Sequence, residues 1–124
     1  MPINQENNNV KYLPFDLVER FMTEVMENAG IPHEDALIVT DVLIQADKLG
    51  FDSHGVNRLK PIYLDRIKDG ILEPVTSHEI VREGPATAVI DGHNGMGQVI
   101  SFRAMQLAIN KAKTYGMGDR KSVV

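Results

Sequence analysis

The chain has 124 residues, 43% of them hydrophobic and 24% charged, with a formal net charge of −4. That length suits a single domain, the balance is ordinary for a globular protein, and the acidic excess excludes the basic footprint of a nucleic-acid binder. The absence of cysteine excludes a disulfide framework and thiol chemistry.

Residues 1–9 read as a disordered tail: the start is polar, Asn-rich and without the apolar centre of a secretion signal, so the expected location is cytoplasmic. Val10-Lys11-Tyr12 is expected to form a short strand. Pro14 and Asp16 suit the opening of a helix, since proline is tolerated in the first turn and a carboxylate favours its positive end. Leu17, Val18, Phe21, Val25 and Met26 follow at helical spacing. Gly30 and Pro32 end that helix, and a second starts near His33-Glu34-Asp35, carrying Ala36, Leu37, Val39, Val42, Leu43 and Ala46 inward. The pair reads as an αα-hairpin. Gly50 closes the second helix, Phe51-Asp52-Ser53-His54-Gly55 connects to a third through Leu59, Ile62, Tyr63 and Ile67, and Asp69-Gly70 closes that one. Ile80-Val81 and Ala86–Ile90 read as two strands around Glu83-Gly84-Pro85, followed by a turn over Asp91–Gly95 and a long helix from about Gln98 to Tyr115. The order implies an α+β fold in one piece. No run of about eighteen apolar residues occurs, so no membrane span is expected.

Four histidines offer chemistry: His33, His54, His78 and His93. None has the H-x-x-x-H spacing that places two rings on one helix face, so no metal site is expected. Asp91-Gly92-His93-Asn94-Gly95-Met96-Gly97 stands between a strand and a helix, where a phosphate loop would sit. The dinucleotide fingerprint G-x-G-x-x-G fails, however, because Ile100 takes the third glycine position. The segment reads instead as a tight turn whose glycines adopt positive φ.

The informative stretch is Asp52-Ser53-His54-Gly55-Val56-Asn57-Arg58, with Tyr63 beyond it. A histidine titrates near neutral pH and can move a proton, and an adjacent serine hydroxyl can bond the ring or a substrate oxygen. Arg58 lies four positions after His54, one turn away if a helix starts promptly, so that both face one pocket. A guanidinium fork matches a carboxylate in a way an ammonium does not. Such a set could handle a small acid with an oxidisable hydroxyl. The plainer alternative is that Asp52 or Ser53 caps the third helix.

The run from Ala46 through Asp52-Ser53-His54-Gly55-Val56-Asn57-Arg58 to Leu59 resembles the signature of the type-2 malate/L-lactate dehydrogenase family, whose members also include sulfolactate and ureidoglycolate dehydrogenases. The likeness continues through Ala86–Gly92 and Gly95-Met96-Gly97-Gln98 to Ala112-Lys113. The resemblance implies a non-Rossmann NAD(P)-dependent fold, a homodimer in the full-length form, and hydride transfer between NAD or NADP and a small 2-hydroxy or 2-oxo acid. It implies that His54 is the proton donor or acceptor, that Ser53 is its polar partner, and that Arg58 lies near the substrate carboxylate.

The sequence departs from the family in two places. Lys48-Leu49 stands where members commonly have Leu-Arg, and Asp119-Arg120-Lys121-Ser122-Val123-Val124 replaces the apolar strand expected after Gly118. Residues 10–118 are therefore expected to be the N-terminal portion of a dehydrogenase domain, and 119–124 an atypical, non-native end. On this reading the 124 residues alone are inactive and bind no cofactor. The alternatives are a stand-alone, non-catalytic binding or regulatory module from this family, and an unrelated helical adaptor.

Overall fold

The computed structural model describes residues 11–122. Helix α1 spans Phe15–Asn28, α2 His33–Lys48, α3 Asp65–Lys68 and α4 Gly97–Tyr115, and the strands are β1 Glu79–Glu83 and β2 Ala88–Asp91. Four helices and a two-stranded antiparallel sheet make the α+β arrangement the sequence predicts. Among the described residues, no helix is long and apolar enough to cross a membrane. Val10 lies outside the described residues. Lys11 and Tyr12 form no strand; Tyr12 is 93% exposed, with no edge beside it to complete a ladder.

The αα-hairpin forms as expected, with Gly30 at φ 94° past the end of α1 and Ile31 buried beneath the turn. Which faces turn inward differs in detail. The i, i+4 row Val18-Met22-Met26 packs against Ala36, Val39, Leu43 and Ile44 of α2, while Leu17 and Phe21 stay exposed. Leu37 and Val42 are exposed as well. Helix α2 carries two apolar faces, and α1 covers only one of them. Complete burial of Met22 and Met26 contributes roughly 1.5–3 kcal/mol each. Thr23 Oγ1 bonds Thr40 Oγ1 at 3.2 Å across the helix pair. Lys48 Nζ bonds Glu19 Oε1 at 2.7 Å and lies 5.7 Å from the Phe15 ring centre. The departure at Lys48 thus tacks the end of α2 to α1.

The third helix is not continuous. Two 3₁₀ turns, Asp52–His54 and Val56–Arg58, lead into a π-helical turn over Leu59–Leu64 before α3. Pro61 lies inside that wide turn and has no N–H to give an α-helical ladder. Tyr63 is nonetheless buried, and its hydroxyl accepts a hydrogen bond from Gln98 Nε2 of α4.

β1 and β2 pair Ile80 with Ile90 and Arg82 with Val89, leaving Val81 as a bulge. Ala86 and Thr87 belong to the connecting turn rather than to the strand, and Gly84 N–H donates to Thr87 O at 2.8 Å. The hairpin contributes no fully buried side chain. Lys111 Nζ of α4 holds it through Glu83 Oε1 at 2.7 Å and Gly84 O at 2.9 Å.

The turn before α4 corrects the expectation about its glycines. His93 and Asn94 have φ of 47° and 57°, whereas the positive-φ glycines lie elsewhere in the chain. Space rather than φ presses on Gly95, where Gly92 O at 3.1 Å and Thr76 Cα at 3.2 Å crowd the place of a Cβ, while at Gly92 the nearest atom is the movable end of Ile100. A Cβ at Gly92 would fall 2.4 Å from Ile100 Cδ1, and one at Gly95 would fall 2.9 Å from Thr76 Cγ2. Thr76 Oγ1 accepts the Met96 N–H at 3.0 Å. Arg103 of α4 donates to Thr76 O at 3.2 Å and to Asp35 Oδ1 at 2.8 Å, joining α4 to the start of α2. Beyond α4, Gly118 lies against Ala108, and Arg120 Nη1 donates to Ser101 Oγ at 3.1 Å, so residues 118–120 run back along the helix.

Candidate active site

Gly50 N–H bonds Asp47 O at 3.0 Å and Phe51 N–H bonds Ala46 O at 2.8 Å, a helix ending that throws the next residues across the end of α2. On that crossing, Ser53 Oγ lies 2.8 Å from His54 Nδ1. The contact occupies one ring nitrogen, and the exposed ring has no partner at Nε2 among the described residues. No side-chain cap bond is formed at either 3₁₀ turn or at the π-helical turn. Capping therefore does not account for Asp52 and Ser53.

Arg58 reaches the histidine loop by a different route from the one predicted. Gly55, with φ −98° and ψ −140°, breaks the helix between them. One-turn helical spacing is therefore lost. Instead Arg58 Nε donates to Ser53 O at 2.6 Å, and its Nη groups have no partner among the described residues. Ser53, His54 and Arg58 are thus adjacent, joined by folding back rather than by helical register.

His33 and His93 make different contacts. His33 Nδ1 lies 2.5 Å from Glu27 Oε1 across the hairpin turn, and His93 lies 3.4 Å from Glu79 and 3.7 Å from Asp91 at the base of the sheet. Among the described residues, no three His, Cys, Asp or Glu side chains gather as metal ligands.

Two residues without an assigned role matter here. Asp47 Oδ2 accepts the Val56 N–H at 2.8 Å, and Asp35 meets Arg103 some seventy positions away. The first had a faint signal, a carboxylate at the end of an amphipathic helix just before the motif. The second had none, because only tertiary packing brings the partners together.

The glycine turn lacks the G-x-G-x-x-G spacing, with Ile100 at the third glycine position. Ile100 and Thr76 fill the space at Gly92 and Gly95, and only Gly97 of the three faces open space. A cavity of about 780 Å³ lies between β2, α4 and residues 118–122, and Ser53, His54 and Arg58 do not line it.

Comparison with known proteins gives the family of the chain. The family model described as malate/L-lactate dehydrogenase matches residues 13–119. The chain belongs to the malate/L-lactate dehydrogenase family. It is 47% identical over 100 residues to an L-sulfolactate dehydrogenase of Methanocaldococcus jannaschii, covering 81% of this chain and 29% of the relative. The solved malate dehydrogenase of Pyrococcus horikoshii superposes with a TM-score of 0.85 at 45% identity, over 90% of this chain and 32% of that one. That of Entamoeba histolytica gives 0.83 at 44% identity, over 87% and 30%. The chain therefore spans about three-tenths of the length of these relatives and corresponds to an N-terminal portion of the family fold. Membership rules out the unrelated helical adaptor, and the relatives named here are dehydrogenases.

Proposed function

We propose that this chain is the N-terminal portion of an oxidoreductase that interconverts a small 2-hydroxy acid and its 2-oxo acid, with NAD or NADP as hydride carrier. The carrier follows from the family, and the proposal extends to a non-Rossmann, dimeric, cytoplasmic protein. This chain contributes polar groups. His54 moves the proton at the substrate oxygen through Nε2, on the scale of a general acid or base. Ser53 holds the ring through Nδ1 and so sets which nitrogen faces the substrate. Arg58 offers its Nη edge to the substrate carboxylate. The observation that carries the reading is the Ser53–His54 contact at 2.8 Å with Nε2 left exposed.

A chimera tests it: residues 13–119 of this chain replace the corresponding segment of the Pyrococcus horikoshii malate dehydrogenase. His54→Ala should lower kcat by about two orders of magnitude or more. Turnover that survives at saturating substrate would remove His54 from the chemistry. Arg58→Lys should act mainly on KM, raising it roughly tenfold through loss of a bidentate contact; an unchanged KM for the 2-oxo acid would take Arg58 out of the site.

A further inference from the structure

The histidine loop is gripped from two sides, and only one grip belongs to the groups assigned above. Arg58 holds the near side at the Ser53 carbonyl. On the far side, the Asp47 carboxylate holds Val56 N–H at 2.8 Å. Asp47 also lies flat against Gly55, where a Cβ would fall 1.8 Å from Oδ1 and 2.1 Å from Cγ. Gly55 is buried there, and no other residue type leaves room for that carboxylate. Asp47 itself is fixed by the last turn of α2, since its carbonyl accepts the Gly50 N–H. Between the two grips stands His54, whose backbone N–H bonds Phe51 O at 3.0 Å and whose ring, among the described residues, is held by Ser53.

We infer that Asp47 is a positioning residue for His54, transmitting the rigid end of α2 through Gly55 and Val56 to the direction of the imidazole. A charge-assisted bond to a backbone N–H is short and directional, and a misplacement of about 1 Å at a proton-transfer group can cost a large factor in rate. The inference rests on the reading of His54 as the proton-transfer residue.

Asp47→Ala and Asp47→Asn separate positioning from mere support, because asparagine keeps an oxygen for the Val56 N–H. In the chimera, Asp47→Ala should lower kcat about tenfold or more with KM within about threefold of the parent, and Asp47→Asn should recover most of the loss. In the 124-residue chain, Asp47→Ala should speed amide exchange at His54 and Val56 about tenfold while Val39 and Val99 in the core keep their rates. Unchanged kcat in Asp47→Ala, a loss that asparagine does not rescue, unchanged exchange at Val56, or a uniform rise across the core amides would each overturn the role. If His54→Ala keeps full turnover, the functional reading fails whatever Asp47 does. If His54→Ala is inactive and Asp47→Ala is not, only the positioning role fails.

Discussion

Arg103→Met offers a demanding test of how α4 is fixed to the helical hairpin. The arginine donates to Asp35 Oδ1 at 2.8 Å and to Thr76 O at 3.2 Å, and Asp35 is 5% exposed. Methionine keeps much of the apolar stem but leaves the carboxylate without its charge partner. Breaking a fully buried pair costs about 3–5 kcal/mol. Two features reduce that here. The Arg103 side chain is 33% exposed, so water reaches the vacated position, and Asp35 stands in the first turn of α2, where the helix dipole favours a negative charge. A loss of about 2 kcal/mol follows. For a domain of this size, that corresponds to a fall in Tm on the order of 8 °C. Urea unfolding of Arg103→Met, Asp35→Leu and the double variant measures it directly. The double variant should be more stable than the sum of the single losses allows, with a coupling of about 1 kcal/mol or more, because both charges leave together. Strict additivity, or a loss below about 0.5 kcal/mol in Arg103→Met, would mean that the ion pair does not hold α4.

Three further outcomes follow from single contacts. Gly55→Ala places a Cβ 1.8 Å from Asp47 Oδ1, so the carboxylate must leave Val56; turnover of the chimera should fall about tenfold or more with Tm nearly unchanged, and a fully active variant would refute the close fit. Met96 is completely buried, and Met96→Ala should cost about 2–4 kcal/mol in a urea titration; a cost under about 1 kcal/mol would show that the turn before α4 packs less tightly. Lys111→Met removes the bonds to Glu83 and Gly84, and amide exchange at Gly84 should rise several-fold while Val99 is unaffected; equal protection in both proteins would leave the hairpin without its anchor.

The sequence alone determined what depends on neighbours along the chain. Helical spacing and the Gly30 and Gly50 stops marked α1 and α2, the Ile80-Val81 and Ala86–Ile90 runs around Glu83-Gly84-Pro85 marked the hairpin, and the residues Ser53-His54-Gly55-x-x-Arg58 marked the loop of the candidate site. Capping and periodicity act over a few residues, so they can be read locally. The tertiary structure decided the rest. Pro61 and Gly55 divided the third helix, so Arg58 meets the histidine loop through the Ser53 carbonyl and not through one helical turn. Leu37 and Val42 remained outside because α1 covers one face of α2 only, a choice that periodicity cannot make when both faces are apolar. The glycines before α4 do not take positive φ, and at Gly95 it is space that Thr76 and the backbone of Gly92 restrict. Asp47 became legible only when the end of α2 was seen to lie against Gly55. A contact of that kind is fixed by the direction in which one element leaves another, and that direction is set by packing across the whole fold.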